Sequence, residues 1–176
     1  MVRALLAVLG VVLLLPLLVI GLLMSAILGL VRWLERRWLT WRFRRVHGRA
    51  GKFVVLVYSY SPHWKRHVEE QILPGLEPHA IALNWSERSG EWWQRRPLEV
   101  RVARFWGGDR EFNPMAVLIP PTGAVVTIRF WQAFLELKYS KPGLLRAKQA
   151  ELFQRVAEIT SELPPNPALR HHGSRP

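Results

Sequence analysis

The chain has 176 residues, a formal net charge of +12 and no cysteine. The absence of cysteine excludes disulfides, thiolate metal sites, cysteine nucleophiles and dithiol redox chemistry. Residues 1–49 contain eight basic side chains and one acidic side chain, and the remainder contains 17 basic and 12 acidic ones, so the mildly basic remainder does not indicate a nucleic-acid-binding protein.

An uncharged apolar run extends from Ala4 to Val31. A bilayer-spanning helix needs about 20 residues, so the run is long enough for one tilted or kinked span, with Pro16 as the expected kink. A cleaved signal peptide is the alternative, and it predicts basic residues before the run and a small-x-small cleavage site after it. Only Arg3 precedes the run, whereas seven arginines follow it by residue 49. We therefore predict a retained transmembrane anchor over residues 1–31.

Residues 32–51 form a basic segment in which tryptophans alternate with arginines. Short flanks rich in Lys and Arg stay in the cytoplasm, so we expect the N-terminus outside and the rest of the chain inside. Tryptophan prefers the headgroup level and arginine prefers anionic phosphates, which favours a helix lying along the cytoplasmic surface of the bilayer. A plain continuation of the transmembrane helix is the alternative. The predicted membrane-interface residues are Trp33, Arg36, Arg37, Trp38, Trp41, Arg42, Arg44 and Arg45.

A strand, a helix and a second strand are predicted next. Phe53 to Tyr58 is a short uncharged run of β-branched and aromatic residues, which is typical of a buried central strand. Ser61 is a suitable N-cap and Pro62 a suitable first helical residue, and Pro74-Gly75 is expected to end that helix. His79 to Trp85 is the second strand. The pattern predicts a βαβ unit with parallel strands.

The second half of the chain predicts a hairpin and a final helix. Pro97 to Trp106 has both strand-like and helical apolar spacing, and we favour a short helix because proline suits its start. Met115 to Ile119 and Ala124 to Phe130 flank a turn-rich stretch and are expected to form an antiparallel hairpin. Lys141-Pro142 opens the last helix, and the tail Pro164 to Pro176 is expected to be disordered.

The resulting order, β-α-β-(α)-β-β-α, resembles the thioredoxin fold over about residues 52–160. Tyr60 to Lys65 occupies the place where thioredoxins carry their active site, and Asn113-Pro114 precedes the hairpin where they carry a cis-proline. The resemblance implies a two- or three-layer α/β domain at residues 52–163. Redox activity is not implied, because Ser61 and Trp64 occupy the positions of the two redox cysteines. A different small α/β sandwich is the alternative.

The same resemblance implies a cleft between the start of the first domain helix and the segment that contains Pro114. A helix N-terminus suits an anion or a carboxylate. Ser61 and His63 are of the right type for a nucleophile and a base, but residues two apart on a helix do not face each other, and we assign no catalytic residue. The predicted ligand- or partner-binding cleft consists of Ser59, Tyr60, Ser61, His63, Asn113 and Pro114.

His63 and His67 have the spacing of a two-histidine metal site on a helix. A third ligand is needed, and His79 and Glu70 are the nearby candidates. Paired histidines at this spacing are common on solvated helices, so we predict no metal site and no cofactor.

Residues 86–96 are expected to form a loop that carries two adjacent tryptophans and two arginines. Neighbouring side chains in a loop point in different directions, so at least one tryptophan is available for a protein-binding hot spot or a second membrane contact. A lid folded back on the core is the alternative. The predicted interaction loop consists of Trp92, Trp93, Arg95 and Arg96.

These features favour a membrane-anchored, cytoplasm-facing, non-redox thioredoxin-like adaptor or accessory subunit. Its expected partners are a bilayer with anionic headgroups and a membrane protein. The alternative is a membrane-bound enzyme that acts on a lipid or an anionic headgroup at the interface. A weaker alternative is a sequence-independent contact between the basic segment and nucleic acid, for which steep salt dependence is the mark.

Overall fold

The computed structural model describes residues 2–87, 97–108, 113–139 and 142–163. The chain divides into two compact units, Met1–Trp38 and Leu39–Pro176. The second unit therefore begins earlier than the predicted domain boundary at residue 52. The predicted disordered tail lies outside the described residues.

Helix α1 (Val2–His47) is continuous and contains Pro16. In the first unit, the side chains of residues 16–34 are all exposed, and most of them are apolar. A helix that is apolar all round needs an apolar environment such as a membrane. The segment is long and apolar enough to cross a bilayer, and a signal sequence near an N-terminus has the same properties. The second unit contains the last turns of α1, residues 39–47.

The second unit contains a four-stranded mixed sheet in the order β2-β1-β3-β4. Strand β1 (Val54–Tyr58) is buried along its whole length and pairs in parallel with β2 (Ala80–Asn84). On its other side, β1 pairs antiparallel with β3 (Met115–Leu118), which pairs antiparallel with β4 (Val126–Arg129). The predicted parallel βαβ unit and the predicted hairpin are both confirmed.

One face of the sheet is covered by α2 (residues 65–76) and by α5 (Gly143–Glu162). Val54 and Leu56 of β1 point to this face, because successive side chains of a strand alternate between faces. Ile72 of α2 and Leu152 of α5 pack against them and are fully buried. This half of the core therefore joins the βαβ unit to the C-terminal helix.

The opposite face is covered by α3 (Pro97–Gly107) and by the end of α1, which makes the domain three-layered. Val55 and Val57 of β1 face this side. Leu39 and Phe43 of α1 pack in the same cluster and are completely buried. The prediction that Pro97 to Trp106 is helical is confirmed. Residues of the basic segment thus contribute to the core of the second unit.

Two details of α2 correct the sequence predictions. The helix consists of an α-helical turn (Lys65–His67), a π-helical segment (Val68–Ile72) and a second α-helical turn (Leu73–Leu76). The prediction that it ends at Pro74-Gly75 is wrong, because the π-helical segment leaves Pro74 near the start of a new turn, where its missing N–H is tolerated.

The start of α2 also differs from the prediction that Ser61 is its N-cap. Trp64 precedes the first helical residue, Lys65. The hydroxyl oxygen of Ser61 accepts a hydrogen bond of 3.4 Å from the backbone N–H of His63, and the Ser61 carbonyl accepts one of 3.0 Å from Lys65. Ser61 therefore shapes a local turn before the helix, which is a common alternative role for serine.

Helix α4 (Trp131–Lys138) follows β4 directly and was not predicted. Ala133 and Phe134 are buried in the first half of the core, and the preceding Phe130 is fully buried. The spacing of Phe130, Ala133 and Phe134 is helical, but the segment is too short for a clear periodic signal. Helix α4 packs beside α5, and its Phe134 contacts His67 of α2.

Candidate functional site

The carboxyl ends of the parallel strands carry a connected set of polar side chains. Tyr58 and Asn84, the last residues of β1 and β2, are paired in the sheet register. We call this set the carboxyl-end cluster. It consists of Tyr58, Tyr60, Lys65, Glu69, Asn84, Ser86 and Glu87.

Tyr58 joins the end of β1 to helix α2. Its hydroxyl donates a hydrogen bond of 3.2 Å to Oε1 of Glu69. Burial raises the pKa of Tyr58 to about 12, and the charge of Glu69 and the hydrogen bond to it act in the same direction. Tyr58 is therefore a protonated donor at neutral pH and does not serve as a base.

Tyr60 binds the turn that follows β2. Its hydroxyl donates a hydrogen bond to Glu87, which raises the pKa of Tyr60. The same carboxylate accepts a bond of 3.1 Å from the buried amide of Asn84, and the backbone N–H of Tyr60 donates to Oγ of Ser86 at 3.0 Å. The ammonium of Lys65 lies 4.5 Å from the centre of the Tyr60 ring. Most of the charged and hydrogen-bonding groups of the carboxyl-end cluster are thus paired with one another.

The predicted cleft residues lie at this same edge of the sheet. Val57 pairs with Met115 in the antiparallel register, so the chain after Val57 runs beside the chain before Met115. That register brings Ser59 to the edge where Asn113 and Pro114 lie. The peptide bond between Asn113 and Pro114 is cis, and the carbonyl of Pro114 accepts a bond of 2.9 Å from Phe130.

The two serines of this cleft make local hydrogen bonds. Oγ of Ser59 accepts a bond of 3.2 Å from the indole Nε1 of Trp64, and Ser61 binds the backbone of His63. Among the described residues, Oδ1 of Asn113 is buried without a hydrogen-bond partner. The six cleft residues therefore share an edge of the sheet, but the structure does not join a serine to a histidine side chain there.

His63 and His67, which have the spacing of a two-histidine metal site, make separate contacts. Nε2 of His67 lies 3.2 Å from Oε1 of Gln149, and its ring packs edge-on against Phe134. His63 is exposed and lies beside the ring of Trp64. Within the described part of the chain, no three histidine or carboxylate side chains are grouped so that they could hold a metal ion.

An aromatic group that the sequence analysis missed connects α2 to α4. The rings of Trp64 and Trp131 meet edge-on with their centres 5.4 Å apart, and Phe134 lies 6.1 Å from Trp64. Trp131 belongs to the helix that was not predicted. No sequence signal indicates that Trp131 lies next to Trp64. The contact forms because the sheet places the end of β4 near the start of α2.

The predicted membrane-interface residues fall into two structural groups. In the first unit, the guanidinium of Arg37 lies 5.2 Å from the ring centre of Trp33, and Arg36 and Trp38 are exposed on the same helix. In the second unit, Arg45 lies over Trp41 at 5.3 Å, and Arg42 is exposed. Such pairs one helical turn apart keep both side chains on one surface of the helix.

Arg44 differs from the other arginines of the segment because it is half-buried and binds the turn between β3 and β4. Its Nε donates a hydrogen bond of 2.7 Å to the carbonyl of Pro120, and its Nη2 donates one of 2.7 Å to the carbonyl of Gly123. Burial lowers the pKa of its guanidinium. The structure therefore gives Arg44 a role in holding α1 to the hairpin.

The predicted interaction loop, with Trp92, Trp93, Arg95 and Arg96, lies outside the described residues. The described residues line cavities elsewhere in the second unit, among them ones of about 550, 550 and 330 Å³. None of these three is lined by a residue of the predicted cleft. The first lies beside α2 and α5, the second at the outer side of β2, and the third between the β3–β4 turn and α5.

Comparisons with protein-family models, with curated proteins and with solved structures found no match to this chain.

Proposed function

We propose that the protein is a membrane-anchored, cytoplasm-facing adaptor whose thioredoxin-like domain binds a membrane-protein partner without redox chemistry. The strand order β2-β1-β3-β4, with only β1 and β2 parallel, supports the thioredoxin-like architecture. So does the place of Pro114 just before β3. The absence of cysteine is consistent with a binding role rather than a redox one.

The proposed anchor is the first unit. Its exposed apolar side chains need a non-aqueous environment, and the arginines that follow them favour a cytoplasmic location for the second unit. The proposed contact with anionic headgroups uses the exposed Trp–Arg pairs, because an aromatic ring and a guanidinium together match the interface and the lipid phosphate.

The observation that carries the adaptor proposal is the use of the hydroxyl groups in the predicted cleft. Ser59 and Ser61 bind an indole N–H and a backbone N–H, and the two tyrosines donate to carboxylates. A nucleophile needs a base within hydrogen-bond distance, and in the part of the chain that the structure describes neither serine has a histidine side chain as its partner. The groups that would perform chemistry here instead maintain the shape of a surface.

Mass spectrometry of proteins that co-purify with the full chain from native membranes tests the proposal. The adaptor function predicts a stoichiometric partner that is retained by the double variant Ser61→Ala with His63→Ala. Replacement of Trp92 and Trp93 by aspartate is expected to release it. Loss of the partner in the alanine variant only, or a chain that purifies alone with bound lipid, contradicts the adaptor function.

The second candidate function is a membrane-bound enzyme that acts on a lipid or an anionic headgroup. The position of the carboxyl-end cluster favours it, because open α/β sheets bind ligands beyond the carboxyl ends of their strands. Lys65 supplies a positive charge there. Turnover of an anionic phospholipid in vesicles by the wild-type chain, lost in both Lys65→Gln and Glu69→Gln, would establish it. Unchanged lipid after prolonged incubation would exclude this lipid as a substrate.

A further inference from the structure

A cavity of about 550 Å³ lies along the outer side of β2, away from the predicted cleft. Its volume is in the range of small-molecule binding sites, about 300–1,000 Å³. Three charged or titratable side chains, His47, Lys52 and Glu99, share a lining that is otherwise apolar. The apolar lining consists of Ala50, Ala80, Ile81 and Ala82.

His47 and Glu99 come from the two helices that cover this face of the sheet. His47 is the last residue of α1, and Glu99 lies in the first turn of α3. Nε2 of His47 is 3.1 Å from Oε1 of Glu99. The side chain of Glu99 is 9% exposed and that of His47 is 17% exposed. A carboxylate this deeply buried is costly unless it is paired, and the short distance places the imidazole beside it at the cavity wall. Nε2 of His47 makes no hydrogen bond among the described residues.

Lys52 enters the cavity from the segment just before β1. Its ammonium donates hydrogen bonds of 3.2 Å to the carbonyl of Pro78 and 3.0 Å to that of Ala80. An ammonium carries three hydrogens, and no acceptor for the third is found among the described residues. The backbone holds Lys52 in place while one donor and the full positive charge remain for a ligand.

The direction of the β2 backbone explains why the ammonium is held at this position. The carbonyl of His79 accepts from Phe53 and Val54 and therefore points toward β1. Neighbouring residues of a strand alternate in direction, so the carbonyls of Pro78 and Ala80 point away from β1, toward the cavity. The short side chains of Ala80 and Ala82 leave this edge of the sheet open to a small molecule.

The charges of the lining select the sign and the size of the ligand charge. Lys52 carries a positive charge, and the negative charge of the lining, Glu99, lies 3.1 Å from His47. A monoanion balances the single charge of Lys52, whereas a dianion exceeds it. We propose that this cavity binds a small carboxylate with a short hydrocarbon chain, its carboxylate on Lys52 and His47 and its chain against the alanines and Ile81. This site does not depend on the adaptor function.

The test uses the full-length protein in nanodiscs and monitors the imidazole C–H signals by NMR. The signal of His47 is identified by its loss in His47→Gln. Butyrate is the probe, and butyramide is the neutral probe of nearly equal shape. We expect butyrate to shift the His47 signal saturably, with a dissociation constant on the order of 1 mM, and butyramide to leave it in place. Equal shifts with both probes, or no saturable shift with butyrate, overturn the proposal.

Two variants have opposite expected effects on butyrate binding, so the test does not depend on one variant alone. Lys52→Gln keeps an N–H donor but removes the charge, and we expect it to weaken butyrate binding about tenfold. Glu99→Gln removes the opposing charge, and we expect it to strengthen binding severalfold. Lys148→Gln is the matched control because Lys148 lies on α5 and pairs with Glu151. A response of the control equal to that of Lys52→Gln, or tighter binding of inorganic phosphate than of butyrate, contradicts a carboxylate site.

Discussion

The guanidinium of Arg44 donates a hydrogen bond of 2.7 Å to the carbonyl oxygen of Gly123, a residue 79 positions further along the chain. Together with the bond to Pro120, this contact ties the last turns of α1 to the tip of the β3–β4 hairpin. A charged donor that satisfies two carbonyls in a partly buried place stabilises a fold more than an exposed ion pair does.

We predict that Arg44→Met lowers the free energy of unfolding of the second unit by about 1–2 kcal/mol, because two carbonyls lose their donor. Chemical denaturation followed by tryptophan fluorescence measures the change. Arg49→Met is the matched control, since Arg49 is exposed and a change there should stay within about 0.5 kcal/mol. Equal effects of the two variants would mean that the contact of Arg44 contributes nothing.

A fragment that begins at Leu39 is predicted to fold, and one that begins at Gly51 is predicted to aggregate. The shorter fragment lacks Leu39 and Phe43, which leaves one face of the sheet without part of its cover. Phe43→Ala in the longer fragment should cost about 3–5 kcal/mol, whereas the exposed Val46 tolerates replacement by alanine. Circular dichroism and size-exclusion chromatography report the outcome. A monomeric, cooperatively unfolding fragment from Gly51 would show that α1 is dispensable for the core.

Gly75→Ala is predicted to destabilise the domain because α2 and α5 approach closely at this position. A Cβ atom on residue 75 would lie 2.8 Å from Cε1 of Phe153, and overpacking of this kind costs about 1–3 kcal/mol. In the double variant with Phe153→Leu, most of the loss should be recovered, since the two sites are coupled. Gly48→Ala is the control, because nothing lies within 4 Å of the added atom. Thermal unfolding of the four proteins tests the coupling.

The raised pKa of Tyr58 predicts a pH dependence of stability. The folded-state value of about 12 exceeds the ordinary value of 10.0, so the folded state holds this proton more tightly than the unfolded state does. The resulting stabilisation is fully present below about pH 10 and is lost as the pH rises toward 12. Absorbance titration of tyrosinate should show a late component that disappears in Tyr58→Phe and persists in Tyr139→Phe. Glu69→Gln should shift it to lower pH, and an unchanged late component in Tyr58→Phe would refute the assignment.

The proposed orientation of the anchor can be measured by labelling single introduced cysteines, because the chain contains no cysteine of its own. We expect a cysteine at position 174 (Ser174→Cys) to resist a membrane-impermeant maleimide in intact cells and to react after lysis. The matched variant Val2→Cys should react in both states. Labelling of residue 174 in intact cells would reverse the orientation, and loss of residue 2 from the mature protein would identify a cleaved signal sequence.

The sequence was sufficient for the sheet but not for how α1 contributes to the core. The runs around β1 and β3 are apolar on both faces, which made their burial predictable. Trp38 and Trp41 were predicted to lie at the membrane interface, whereas the buried residues of that turn are Leu39 and Phe43. Leu39 and Phe43 are buried because they cover the sheet face beside α3. That contact arises from tertiary packing, so no local sequence pattern predicts it.

Only part of the predicted cleft could be anticipated from the sequence. The expectation that Ser59 and Pro114 are neighbours came from the resemblance to thioredoxins, and the antiparallel register of β1 and β3 brings Ser59 to the edge where Pro114 lies. The hydrogen bonds that occupy its hydroxyls depend on side chains from other elements, such as the indole of Trp64. The cavity at β2 was not anticipated, because His47, Lys52 and Glu99 are brought together only by tertiary packing.

The burial of Phe43 has a consequence for synthesis of the chain on the ribosome. Phe43 is made early, but the cluster around it also needs Val117 of β3, which is made about 75 residues later. At translation rates of about 5–20 residues per second, roughly 4 to 15 seconds separate the two. During that interval the last turns of α1 lack the part of their cluster that β3 supplies, so Leu39 and Phe43 remain without these neighbours until the hairpin has been made.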